Sequence, residues 1–258
     1  MDHIAMSKLP AFRVALFYFL LGTSAFLWCT LSFFFAPFMS FPRRYRFING
    51  YWCRFAIWLA GAVLGLKVRI RGAENVPAQP CVIVSNHQST WETFFLSAYF
   101  QPMSQVLKKE LLYVPFFGWA MAMLRPIAID RDNPKEALKR VASEGNKLLK
   151  DGVWVLIFPE GTRVPYGQIG KFTRSGAALA AHANLPVLPI AHNAGKFWPR
   201  KGWGKYAGTI DVVIGAPLYA AGTGPRDVAN LNDQVFAWNE GTQQALGALP
   251  QAAETHPA

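Results

Sequence analysis

The hexapeptide His87-Gln88-Ser89-Thr90-Trp91-Glu92 places an imidazole and a carboxylate five positions apart, directly after the apolar run Cys81-Val82-Ile83-Val84-Ser85-Asn86. Neutral imidazole is the side chain best matched to accepting a proton near neutral pH. A carboxylate beside it fixes the ring's tautomer and favours the cation that forms. Such a pair can remove a proton from a hydroxyl. Two further segments carry charge after an apolar run. One is Ile127-Ala128-Ile129-Asp130-Arg131; the other is Val153-Trp154-Val155-Leu156-Ile157-Phe158, followed by Pro159-Glu160-Gly161-Thr162-Arg163. A guanidinium is a planar fork for two phosphate oxygens, and Gly161 lets the backbone turn tightly and bring amides to an anion. Together these residue types suit deprotonation of a hydroxyl on an anionic substrate.

Each piece also has an ordinary structural reading. A lone histidine after a strand is a loop residue, and a lone arginine on a turn is solvated surface. Ser89-Thr90-Trp91-Glu92 is also a capping box, with Ser89 as N-cap and Glu92 reaching back to its amide. Positions five apart do not share a helix face, so His87 must lie in the loop for Glu92 to reach its ring. Spacing leaves both roles of Glu92 open, and a carboxylate has acceptor capacity for both. Asn86, Lys108 and Arg174 are additional candidates for substrate contact, whereas Lys109 reads as solvated.

The elements that must position these residues alternate between strand and helix. Strands are expected at Lys67–Arg71, Cys81–Ser85, Met103–Leu107, Pro126–Ile129, Val153–Phe158, Val187–Ala191 and Thr209–Ile214. Helices are expected at Thr90–Phe100, Pro134–Lys150 and Ser175–Asn184, with a closing amphipathic helix over Val228–Leu249. Asp132-Asn133-Pro134 is a cap with proline in the first turn. The fold class is α/β, a mixed, mostly parallel sheet covered by helices.

Hydrophobic residues make up 52% of the 258 residues and charged residues only 16%, below the usual quarter, so apolar surface faces lipid or a partner. A formal net charge of +11 asks for an anionic partner. With the apolar excess, a membrane surface is favoured over nucleic acid, since the basic residues are not interleaved with aromatics as a nucleic-acid groove requires. From Val14 to Met39 there is no charged residue, and the run before Pro37 is long enough to cross about 30 Å of hydrocarbon. It is too long for a signal-peptide core and lacks a cleavage site. After Arg43, Arg44 and Arg46 comes a shorter apolar stretch, Phe55–Leu66, too short to span comfortably.

One spanning helix, or a helical pair dipping into one leaflet, fits this pattern. In both arrangements the rest of the chain lies on the cytosolic side of the cytoplasmic membrane. Cys29, Cys53 and Cys81 have no metal-ligand spacing and are expected as buried apolar residues without a disulfide. The expected organisation is a membrane anchor over 1–71, an α/β domain over 72–220, and a closing helix and tail over 221–258.

In their order these blocks resemble the 1-acyl-sn-glycerol-3-phosphate acyltransferases, within the wider glycerolipid acyltransferase family, over roughly Gly72–Leu218. The family's His-x-x-x-x-Asp motif falls on His87 to Glu92, with glutamate in place of aspartate. Its second block falls on Ile127–Arg131, Phe158-Pro159-Glu160-Gly161-Thr162-Arg163 matches its third, and Leu185-Pro186-Val187-Leu188-Pro189-Ile190 is similar to its fourth. The resemblance implies transfer of a fatty acyl group from acyl-CoA or acyl carrier protein to the free hydroxyl of lysophosphatidic acid, giving phosphatidic acid. It further implies His87 as base, Glu92 as its partner, and Arg131 and Arg163 on the phosphate with Glu160, Gly161 and Thr162 in the binding turn. It implies no metal and no cofactor beyond the acyl donor, with membrane lipids as partners. Acylation of glycerol 3-phosphate or another lysolipid, and non-catalytic lipid binding, are the competing functions.

Overall fold

The computed structural model describes residues 7–130, 132–247 and 249. It begins with helix α1 (Ala11–Phe35), a short turn at Ala36–Phe38 and a second helical run over Phe41–Leu64. That run consists of α2 (Phe41–Tyr45), a π-helical turn (Arg46–Tyr51) and α3 (Trp52–Leu64). At 24 residues it is long enough to cross a bilayer, contrary to the short segment expected. Arg43, Arg46 and Arg54 interrupt the apolar run in sequence but lie on the exposed side of the helix. Tyr45, Ile48, Cys53, Ala56, Leu59 and Leu64 are buried. Gly65, in the left-handed region at φ 71°, ends it.

The two helical runs are antiparallel. Arg13, near the start of α1, donates from Nε and Nη2 to the carbonyl of Val63 at 3.0 and 2.6 Å, near the end of α3. Their inner sides supply Val14, Phe17, Tyr45 and Leu59 to the main core. Their outer side exposes Phe12, Phe19, Phe26, Phe34, Phe38 and Trp58. Nothing among the described residues covers this apolar surface, and it makes the chain a membrane-associated protein.

The rest alternates as expected. In chain order it comprises β1 (Leu66–Arg71), β2 (Val82–Ser85), α4 (Trp91–Tyr99), β3 (Met103–Lys108) and α5 (Phe117–Ala122). Next come β4 (Ile127–Ile129), α6 (Pro134–Lys150), β5 (Trp154–Ile157) and α7 (Ser175–Ala183). The chain then forms β6 (Val187–His192), α8 (Ala194–Phe197), β7 (Gly208–Ile214) and α9 (Pro225–Ala245). The strands form one sheet in the order β1-β7-β6-β2-β5-β3-β4, parallel everywhere except at the β6–β7 junction. Thus Leu66–Arg71, inside the expected anchor segment, is an edge strand of the sheet. Helix α9 begins three residues earlier and stops four earlier than the amphipathic pattern suggests.

The central strands are covered on both faces, as parallel sheets require. Alternation sorts them: Ile83, Leu156 and Leu188 face the layer containing the helical pair and α4. Val82, Val84, Val155 and Ile157 face the opposite layer, formed by α6, α7 and α9. β2, β5, β3, β4 and β6 all end at one edge. That edge carries Asn86-His87, Phe158-Pro159-Glu160, Lys108, Asp130 and His192-Asn193, the position where open α/β sheets hold their ligands.

Candidate active site

His87 leaves β2 in the loop before α4 and turns its ring back to the first turn of that helix. Its Nδ1 lies 2.8 Å from Glu92 Oε1. The same oxygen accepts the backbone N–H groups of Gln88 at 2.9 Å and Ser89 at 2.8 Å. Both readings of Glu92 are therefore realised at once, on one oxygen. The helix starts at Trp91, with Thr90 at the cap position.

Glu92 is wholly buried. Burial pushes its carboxyl up, but the neighbouring His192 and His87, with the His87 and Ser89 hydrogen bonds, outweigh burial and hold it below the usual carboxylate range. His192 is itself driven down by burial. Its Nε2 donates to the Asn86 carbonyl at 2.8 Å and its Nδ1 accepts from the Ala194 amide at 3.3 Å, a neutral arrangement. The charge on Glu92 is therefore stabilised chiefly by three N–H donors, one of them His87 Nδ1–H. That fixes the tautomer of His87, whose Nε2 is left with a lone pair to accept a proton. The ring lies flat on Phe158, with centroids 4.0 Å apart and planes at 14°.

The loop after β5 lies alongside. Glu160 Oε2 accepts the His87 amide at 3.1 Å, the Val164 amide donates to the His87 carbonyl at 2.7 Å, and Arg163 Nη1 donates to Thr90 Oγ1 at 2.9 Å. Arg163 is thus held at the start of α4, beside the imidazole loop. Its carbonyl accepts from Arg200 Nη1 at 2.6 Å, bringing a second guanidinium to the rim. A base with an orienting carboxylate, next to fixed positive charge, can deprotonate a hydroxyl on a phosphorylated substrate.

A family model described as Acyltransferase matches residues 67–193, the span from β1 to the end of β6 that contains all four motif blocks. A 1-acyl-sn-glycerol-3-phosphate acyltransferase of Pseudomonas aeruginosa is 60% identical over 252 residues, covering 98% of this chain and 98% of that protein. The chain belongs to this family. The alpha form of the same enzyme from Homo sapiens is 33% identical over 174 residues, 66% of this chain and 62% of the human one. The crystal structure of the 1-acyl-sn-glycerophosphate acyltransferase of Thermotoga maritima aligns with a TM-score of 0.74 over 93% of this chain and 97% of that chain. At 21% identity, it shows the shared fold.

Within this acyltransferase fold, several residues expected at the site take other positions. Asn86 is buried: its Nδ2 donates to the His192 carbonyl and its Oδ1 accepts the His192 amide, each at 3.0 Å. These bonds brace the loop from within. Glu160 turns beneath its own loop, close against Gly170, where a Cβ would come within 2.9 Å of Glu160 Cγ. Burial pushes its carboxyl up to about 8, so it is mainly protonated near neutral pH and serves as acceptor for the His87 amide; a carboxyl does not attract phosphate. Gly161 and Thr162 are exposed at the rim, and Gly161 has the positive φ, 68°, that the turn demands.

Lys108 ends β3, separated from β2 by β5, so roughly 10 Å away across the sheet. It lies 3.6 Å from Glu110 Oε1. Lys109, expected to be solvated, pairs with Asp130. Arg174 opens α7, exposed, on the layer opposite α4. Arg131 lies outside the described residues.

The sequence pattern did not single out His192, Phe158 or Gln88, all now seen around the imidazole. Asn193, noted without a role, holds the Asp211 amide through Oδ1 at 2.9 Å. Only Phe158 carried a signal, as the residue leading into Pro159-Glu160. All three cysteines are free, and burial pushes Cys81 up to about 12, making its thiolate scarce. No group of three metal-ligating side chains occurs among the described residues. A cavity of about 80 Å³, lined by Trp28, Ile48, Trp52, Phe94 and Met121, opens between the helical pair and α4, within a turn of Glu92.

Proposed function

We propose that the chain transfers a fatty acyl group from an acyl thioester, acyl-CoA or acyl carrier protein, to the sn-2 hydroxyl of 1-acyl-sn-glycerol 3-phosphate, giving phosphatidic acid. The carrying observation is the His87–Glu92 pair, set beside the Arg163 loop. In this reading His87 Nε2 takes the hydroxyl proton as the oxygen attacks the thioester carbonyl. A C–O bond forms, the tetrahedral oxyanion collapses, the C–S bond breaks, and the departing thiolate takes the proton back from the imidazolium. The alcohol is itself the nucleophile, so no acyl-enzyme is needed.

Arg163 would bind the phosphate, and the sequence supports Arg131 as its companion. The exposed outer side of the helical pair would sit in one leaflet of the cytoplasmic membrane with the carboxyl edge of the sheet on the cytosolic face. The apolar tails of both substrates then stay in the bilayer and in the cavity beside α4. The test is the full-length protein in phospholipid vesicles, offered labelled acyl-CoA or acyl carrier protein with a panel of acceptors. Lysophosphatidic acid should be acylated in preference to glycerol 3-phosphate and to lysolipids with larger headgroups. Equal rates on acceptors without phosphate would reject the arginine assignment.

A further inference from the structure

The two residues that flank His87 are both held from the same direction. Asn86 is bound to His192 as described. Gln88, on the other side, is buried and carries a second set of bonds. Its Oε1 accepts the Gly195 amide at 3.3 Å, and its Nε2 donates to Gln243 Oε1 at 2.9 Å, on α9. Gln243 Nε2 donates to Asn239 Oδ1 at 2.6 Å, one turn earlier on α9, and Asn239 Nδ2 donates to the Ile190 carbonyl at 3.0 Å.

Three side-chain amides, all buried, thus form one line whose ends are both backbone groups of the β6–α8 segment, a carbonyl at Ile190 and an N–H at Gly195. These ends fix the polarity. Ile190 can only accept, so Asn239 presents its NH₂ there; its oxygen then faces the NH₂ of Gln243, whose oxygen faces the NH₂ of Gln88. Gln88 is left with its oxygen toward the only donor remaining, Gly195 N–H. No amide in the line can flip without breaking two bonds, and a continuous buried network of this kind resists rearrangement. Gly195 approaches so closely that a Cβ there would come within 2.8 Å of Gln88 Cβ.

We propose that α9, through Gln243 and Asn239, is a positioning element for the base, although its residues lie far from the motif blocks in sequence. The link runs from Gln243 to the Gln88 side chain. It continues through the Gln88 backbone N–H, bonded to Glu92 Oε1, to the oxygen that orients His87. Loss of the link lets residue 88 rotate and shifts the carboxylate against the ring, a displacement of a catalytic group that lowers turnover without touching acceptor binding.

This inference rests on His87 being the base. The experiment uses the full-length enzyme in phosphatidylcholine vesicles with oleoyl-CoA and lysophosphatidic acid. Gln243→Leu should lower kcat about tenfold to hundredfold with KM for lysophosphatidic acid within about twofold. Gln88→Met should do the same, and the double variant should be no worse than the worse single one, because both cut one link. Gln243→Glu keeps the volume and, held neutral by burial, offers both an acceptor for Gln88 Nε2 and an O–H donor for Asn239 Oδ1, so it should retain kcat within about threefold.

A fall in melting temperature with unchanged kcat in Gln243→Leu, or losses that multiply in the double variant, would overturn the proposal. Should Gln243→Leu not accumulate folded, Gln88→Met against Gln243→Glu carries the same decision; equal kcat in the two refutes the link. A fully active His87→Ala defeats the catalytic reading itself, whereas an inactive His87→Ala beside an unaffected Gln243→Leu defeats this inference alone.

Discussion

The loops that leave β2 and β5 meet at the same edge but are built differently. In the first, Asn86, Gln88, Ser89 and Glu92 are all buried, and the chain on each side of His87 is hydrogen-bonded. In the second, Gly161 and Thr162 are exposed, and Arg163, partly exposed, is steadied by a bond to the Thr90 hydroxyl. The contrast matches the two tasks. A proton transfer needs its base within a few tenths of an ångström of the productive position, while attraction of a diffuse dianion to a guanidinium is less exacting in geometry.

The largest test of this division removes the base. His87→Ala should lower kcat by about 10²–10⁴-fold, read from labelled acyl transfer at saturating acceptor, while lysophosphatidic acid still raises the melting temperature. Unchanged transfer would place the base elsewhere. Next comes Arg163→Ala, which should raise KM for lysophosphatidic acid about tenfold to hundredfold, the loss of roughly 1.5–3 kcal/mol of charged hydrogen bonding, with a smaller change in kcat. Arg163→Lys should recover part of it, since a point charge replaces a fork. A pure kcat effect there would erase the distinction between the loops.

Glu92→Gln is milder. It keeps an acceptor for the two amides but cannot stabilise the imidazolium, so kcat should fall about tenfold. A silent Glu92→Gln, with Glu92→Ala mainly lowering the melting temperature, would leave capping as the residue's whole contribution.

The smallest effect is expected at Glu160. Its carboxyl binds a proton in the folded chain up to about pH 8 and in the unfolded chain only to the ordinary carboxylate range. The folded state therefore holds the extra proton between those values, and its contribution to stability is full at low pH and lost as pH rises toward 8. Glu160→Gln should leave kcat at pH 7 within about threefold and flatten the fall in melting temperature between about pH 5 and 8. A large loss of rate would give Glu160 a part in the chemistry.

All seven strands were legible: β2, β4, β5 and β6 as short apolar runs bounded by turn residues, and β1, β3 and β7 as β-branched or apolar residues interleaved with polar ones. Helix α6 was legible to the residue because Asn133 Oδ1 accepts the Glu136 amide ahead of a first-turn proline, as the sequence advertises. Helix α5 was not: six residues inside an aromatic stretch carry no periodicity, and Phe116 before it sits at φ 62°. The second membrane-facing helix was cut short on paper because charges on an exposed side look like an ending. At the candidate site, His87, Glu92 and Arg163, singled out by spacing, come together in the fold. Spacing could not tell which residues at a strand end turn inward. Asn86 and Glu160 turn inward because their partners lie 106 and 73 positions away, at His192 and at the His87 amide.

The helical pair is a roof for the sheet as well as a float in the lipid. Phe17 and Tyr45 share a core with Ile83 and Leu156 of the strands that end in the site. Trimming the chain back to Leu66 to obtain a soluble enzyme would remove much of the cover from one side of that sheet, leaving α4 to shield it. Detergent or a lipid disc is accordingly the condition for keeping the pair, and the sheet's cover with it, through every step of purification.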